Sequence, residues 1–146
     1  MENDIKKFWR YIKNNDIENI KLLLKKSSIY LSLDCNIALR IASKNGNLEI
    51  FKLLINDKRV NPSHMRCCSL RFSAEYGHIE IVKLLLQNKV IDPSEKSNYA
   101  IKFAYKNKHL EIVKLLWQDQ RVKDTLENDN KKLYKKLILQ DNIGAF

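Results

Sequence analysis

Residues 46–55, GNLEIFKLLI, place polar side chains at Glu49 and Lys52, with Asn56 just beyond. Those positions fall at i, i+3 and i+7, one narrow stripe of a helix. Leu48, Ile50, Phe51, Leu53, Leu54 and Ile55 cover the remaining arc. A helix this apolar has to be covered on more than one side. The pattern recurs. NDIENIKLLL (15–24), GNLEIFKLLI (46–55), GHIEIVKLLL (77–86) and KHLEIVKLLW (108–117) each start 31 residues after the one before. The upstream strings IALRIASKNG (37–46), CSLRFSAEYG (68–77) and YAIKFAYKNK (99–108) keep the same step, as do the turns VNPS (60–63) and IDPS (91–94). Such a period predicts a stack of helix-turn-helix units, each covering the greasy side of its neighbours.

The pattern predicts helix pairs near 4–26, 36–57, 67–88 and 98–119, and a capping helix near 129–140, in a single domain over 1–146. Within each pair the first helix is short. It carries a small residue (Ala42, Ser73, Ala104) where two helices come close. Gly46 and Gly77 follow it, where a left-handed residue ends a helix; Asn15 and Lys108 hold the same place in the outer copies. Asp16, Asn47, His78 and His109 come next, in the N-cap position of the second helix, where His is the weaker capping residue. Glu18/Lys21, Glu49/Lys52, Glu80/Lys83 and Glu111/Lys114 are i, i+3 pairs that mark the solvent side of the second helices.

These strings resemble the ankyrin repeat. CSLRFSAEYGHIEIVKLLL (68–86) is the nearest copy to the family's T-P-L-H-x-A-A-x-x-G-H-x-x-V-V-x-L-L-L, and the resemblance runs over about residues 5–125. The second-helix half matches well. The first half does not: Ile37-Ala38, Cys68-Ser69 and Tyr99-Ala100 replace Thr-Pro, and Arg40, Arg71 and Lys102 replace the His. In the family that His ties adjacent loops by hydrogen bonds. Arg and Lys donate but do not accept, so the ties here have to differ. The unit is two residues shorter than the usual 33, which points to tight turns in place of projecting β-hairpin fingers. The resemblance therefore implies an all-α, ankyrin-type solenoid with short β-turn loops. The Lys/Asn-rich style is similar to arrays common in large DNA viruses of protists and in some protists; a viral source would make a host protein the partner. Some viral members add a C-terminal ubiquitin-ligase-recruiting box, for which the tail DNIGAF is too short.

Composition narrows the chemistry. Three glycines, at 46, 77 and 144, leave no phosphate-binding loop. No Ser, His and acid stand in a nucleophile context, so the expectation is that the chain is not an enzyme and uses no cofactor. His64, Cys67 and Cys68 form a His-x-x-Cys-Cys string, short of the four ligands that zinc takes. Three cysteines, two of them adjacent, suit a reducing compartment over a disulfide framework. The opening MENDIKKFWRYIKNND has no apolar signal core, and no apolar run spans a membrane, so the expected setting is intracellular and cytoplasmic.

A net charge of +10 leaves two readings open. It fits solubility combined with AT-rich coding, and it fits a surface selected for nucleic acid or another polyanion. KKLYKK (131–136) likewise reads as a solvated capping face or as a localisation patch. Phe8, Phe51, Phe72 and Phe103 sit in apolar positions and offer no obvious stacking platform.

The resemblance implies a scaffold that binds a partner protein on the concave face built from turns and first helices. Carried over by position, that face holds His64, Met65, Arg66, Cys67, Glu75, Tyr76, Glu95, Lys96, Asn98, Lys106 and Asn107. Its richest part is the third unit, where an Arg, a Met and a Tyr of the kinds enriched at interface hot spots come together. The ladder Arg40, Arg71, Lys102 either presents cations to an acidic segment or ties adjacent turns. The expected assembly state is a monomer.

Overall fold

A computed structural model describes residues 4–26 and 32–142, apart from the side chains of 32–34 and 64–67. Ten helices form among these residues, and no strand does: α1 Asp4–Asn14, α2 Ile17–Lys25, α3 Ser32–Asn45, α4 Leu48–Ile55, α5 His64–Glu75, α6 Ile79–Leu86, α7 Glu95–Lys106, α8 Leu110–Trp117, α9 Gln120–Asp129 and α10 Lys131–Asn142. They are joined in successive antiparallel-type pairs by turns. The first helices α3, α5, α7 and α9 pack side by side, and the second helices α2, α4, α6 and α8 do the same. The architecture is an all-α repeat solenoid.

The core runs the length of the stack. In each of the three central units the second helix buries the same three positions: Ile50, Phe51 and Leu54; Ile81, Val82 and Leu85; Ile112, Val113 and Leu116. The polar stripe faces out and pairs with itself. Lys21 meets Glu18 at 2.8 Å, Lys52 meets Glu49 at 3.3 Å and Lys83 meets Glu80 at 2.8 Å. Exposed pairs of this kind add only a few tenths of a kcal/mol each, so burial of the apolar arc holds the units together.

Two departures from the expected elements have local causes. The end of the stack is a helix pair rather than one helix. Asp119 starts α9, its Oδ1 accepting from the Arg121 N–H at 2.9 Å. The earlier turn reads Asp57-Lys58-Arg59-Val60 and then meets Pro62, whereas Asp119-Gln120-Arg121-Val122 is followed by no proline and goes on as helix. The other departure is α7. Lys96, Ser97 and Asn98 have φ of 55°, 55° and 60°, so its right-handed course starts at Tyr99, close to the expected 98.

Candidate functional site

The ties between units set the shape of the first-helix face. The left-handed residue that ends each first helix is where expected, with φ of 54° at Asn15, 72° at Gly46, 83° at Gly77 and 63° at Lys108. The histidines that follow do not cap their own helices. Each reaches back one unit. His78 Nε2 hydrogen-bonds the Lys44 carbonyl at 2.9 Å, and His109 Nε2 hydrogen-bonds the Glu75 carbonyl at 3.1 Å. The Glu75 carbonyl also accepts from Asn107 Nδ2 at 2.7 Å. The rings lie directly over the glycines. A Cβ on Gly46 would sit 2.5 Å from His78 Nδ1, and one on Gly77 would sit 2.7 Å from His109 Cε1. Glycine is therefore required twice over, for its φ and for the ring of the next unit. Asn15 and Lys108 need only the φ, since Asn47 follows the first and no histidine follows the second. Beside Asn47 a cavity of about 270 Å³ opens, lined by Trp9, Ile12, Lys13 and Ile41 among others, at the place that His78 fills one unit further on.

These histidines supply one set of ties between adjacent units. The other tie was not foreseen. Arg59 Nη2 donates to the Leu24 carbonyl at 2.9 Å while its Nε holds Asp57 Oδ1 at 2.8 Å. Arg121 repeats this, with Nη1 on the Ile91 carbonyl at 3.3 Å and Nη2 on Asp119 Oδ2 at 2.7 Å. Hydrogen bonds from these arginines hold the Asp57 and Asp119 carboxyls below their ordinary range, against the opposing effect of burial. The signal was in the sequence as Asp-x-Arg-Val, present at 57–60 and 119–122 and lost at 88–91.

Between α5 and α7 the first-helix face carries two stacked rings, each with a cation beside it. Arg71 lies 5.0 Å from the Tyr99 ring centroid and its Nη2 donates to Cys68 Sγ at 2.7 Å. Tyr99 stacks on Phe103 with centroids 4.0 Å apart, and Lys106 Nζ is 5.6 Å from the Phe103 ring. The Tyr99 hydroxyl donates to Glu75 Oε2 at 2.9 Å. Burial, and after it that carboxylate, push the Tyr99 phenol above its ordinary value. Tyr76 stands 46% exposed, with Lys44 Nζ 5.6 Å from its ring.

The expected face is thus partly rearranged. Glu75, Tyr76, Lys106 and Asn107 gather around the α5–α7 junction, but Glu75 and Asn107 are engaged in ties. Glu95 is half-buried and Lys96 is exposed in the left-handed turn. Asn98 is not on the surface. It is 0% exposed and neither Oδ1 nor Nδ2 has a hydrogen-bond partner. Asn36, two units earlier, accepts from the Asn61 N–H at 2.8 Å. The N–H at the same register from Asn98 belongs to Lys123, and α9 has taken it, bonding it to the Asp119 carbonyl at 3.3 Å. The side chains of His64, Met65, Arg66 and Cys67 lie outside the described residues. Phe72 and Phe103 are half-buried, where only Phe8 and Phe51 are closed off from solvent. Arg71 has a structural part, as one of its two readings had it, but its partners are a thiol and a ring in place of carbonyls.

Among the described residues no three His, Cys, Asp or Glu side chains gather as a metal site requires. Cys35 and Cys68 are buried free thiols. No helix among the described residues is long and apolar enough to cross a membrane.

Stacked helix pairs, glycine-ended first helices and backward-reaching histidines define a class: a linear helical repeat scaffold. The chain belongs to the ankyrin-repeat family, since the sequence model for ankyrin repeats in three copies matches residues 8–97. The pair α7–α8 continues the same register beyond that match. None of the curated proteins matches the chain. Ankyrin repeats are generally protein–protein interaction modules, and their fold is a non-catalytic scaffold.

Proposed function

We propose that this protein is a monomeric intracellular scaffold that binds a partner protein on its first-helix face, centred on the third and fourth units. The contrast between its two faces carries this reading. The second-helix face neutralises its own charge in Glu/Lys pairs. The first-helix face sets the rings of Tyr76, Tyr99 and Phe103 among Lys44, Arg71 and Lys106. Rings and Arg are the groups that dominate protein interfaces, and the inter-unit ties hold them in place before binding, which lowers the entropy cost of association. By repeat position Met65 and Arg66 belong to the same proposed site. The buried thiols fit a reducing setting.

The test is comparative capture from extract. Alanine at Met65, Arg66 and Tyr76 should abolish retention of a specific protein and leave the melting curve nearly unchanged. Alanine at Glu49, Lys52 and Glu80, on the outer stripe, should leave retention intact. Equal retention by both triple variants would remove the site assignment.

A further inference from the structure

A groove of about 310 Å³ separates α7 from α10, and charge is concentrated on its walls. Lys102 and Lys106 come from α7, Lys132 and Lys136 from α10, and Phe103 and Leu133 provide apolar lining. No acidic residue lines it. The outer stripe shows the contrast, because there Lys21, Lys52 and Lys83 each meet a Glu. Among the described residues no ion pair engages any of the four groove lysines. Each helix therefore sets two like charges one turn apart, an arrangement that repels itself until an anion arrives.

We propose that this groove binds an extended acidic peptide segment of a partner protein, with carboxylates at alternate residues and apolar side chains between them. The proposal rests on the reading of the chain as a protein-binding scaffold and extends that face from Phe103 and Lys106 across to α10. Lysines four apart on a helix are separated by a rise of roughly 6 Å. Alternate residues of an extended chain are roughly 6.6 Å apart, so successive carboxylates meet successive lysines on one wall. The apolar side chains between them point the opposite way, so carboxylates on Lys132 and Lys136 of α10 turn them toward Phe103 of α7. A nucleic acid fits less well. Base stacking needs an open ring face, and Phe103 is already stacked on Tyr99 at 4.0 Å. Lysine supplies point charges that a carboxylate satisfies as readily as a phosphate.

The experiment measures fluorescence anisotropy of three labelled probes with the full chain at moderate salt. They are a twelve-residue peptide alternating Glu and Leu, the same peptide with Ser for Leu, and a twelve-nucleotide oligo-dT. Two charge-reversed variants are compared. K132E/K136E changes two exposed groove lysines of α10, and K52E/K83E makes the same change of net charge on the outer stripe; circular dichroism confirms that both fold. The Glu/Leu peptide should bind, lose at least tenfold in affinity with K132E/K136E, and change less than threefold with K52E/K83E. The Ser peptide and oligo-dT should bind at least tenfold more weakly than the Glu/Leu peptide. Equal binding of the Ser peptide, tighter binding of oligo-dT, or an equal response to the two reversals would each overturn the proposal. The scaffold reading is scored separately. If the Tyr76-containing triple variant loses its captured protein while K132E/K136E keeps both that protein and the peptide, the scaffold stands and the groove assignment falls.

Discussion

The most exacting prediction concerns Gly46 and His78. An alanine at Gly46 has to hold a φ of +72° and places its Cβ 2.5 Å from His78 Nδ1. The left-handed conformation costs an L-residue about 1–2 kcal/mol. The ring must also move, and its 2.9 Å bond to the Lys44 carbonyl goes with it, a loss of about 1 kcal/mol. Gly46→Ala should therefore cost about 2–3 kcal/mol. His78→Ala loses the bond and some packing, about 1–1.5 kcal/mol. In the double variant the clash has nothing to strike and the bond is already gone, so only one loss of the tie is counted. The double should cost about 2–3 kcal/mol, short of the sum of the singles by about 1 kcal/mol. Urea unfolding followed by far-UV circular dichroism at fixed slope measures all four corners. Additivity within about 0.3 kcal/mol, or a Gly46→Ala cost below about 0.5 kcal/mol, would refute the reasoning. The cycle on Gly77 and His109 should show the same sign, since Nε2 of His109 bonds the Glu75 carbonyl at 3.1 Å.

Further outcomes follow from the same ties. Asn15→Gly with Asn47→His should rebuild the missing tie in the cavity beside Trp9 and raise stability by about 1 kcal/mol in urea, whereas Asn47→His alone should gain nothing, its ring meeting the Asn15 Cβ. Asn98→Gly removes a buried amide without partners and relieves a φ of 60°, so it should raise stability by about 1 kcal/mol; a loss on thermal unfolding would contradict this. Asp57 and Asp119 have folded pKa values below the unfolded value, so their contribution is complete above the unfolded range near 4 and is lost as pH falls through the folded values. The urea midpoint should thus drop below about pH 4, and Arg59→Gln should shallow that drop; an unchanged slope would count against it. Tyr99 runs the other way, its raised pKa withdrawing stability as pH climbs past about 10, and Tyr99→Phe should remove that part of the alkaline loss.

The second helices were legible because a helix apolar on most of its arc leaves one solution, burial between copies of itself, and Ile50, Ile81 and Ile112 are buried as that solution requires. The left-handed residues were legible for a similar reason, since few side chains tolerate that conformation. Helix α9 was not. Its buried side is only Val122 and Leu126, too few to stand out from a polar segment. His78 and His109 were placed correctly along the chain but given the wrong partner, because N-capping is a local pattern and a bond back to Lys44 or Glu75 spans 34 residues. Asn98 belongs by its repeat position to the concave face, and it is buried because α9 replaces the turn that would have met it. The groove needed α10 to be laid against α7 before Lys102 and Lys136 could be seen on facing walls.

Excision in frame of residues 78–108, joining Gly77 directly to His109, asks most directly whether each helix pair is sheltered by its neighbours along the chain. The cut removes one period, sets the His109 ring over Gly46 and turns its Nε2 toward the Lys44 carbonyl. Far-UV circular dichroism of the shortened chain should show the same helical signal per residue and a cooperative urea transition at a lower midpoint. A disordered spectrum, or a loss of helix well beyond the excised share, would mean that distant segments share one indivisible core and would contradict the stack.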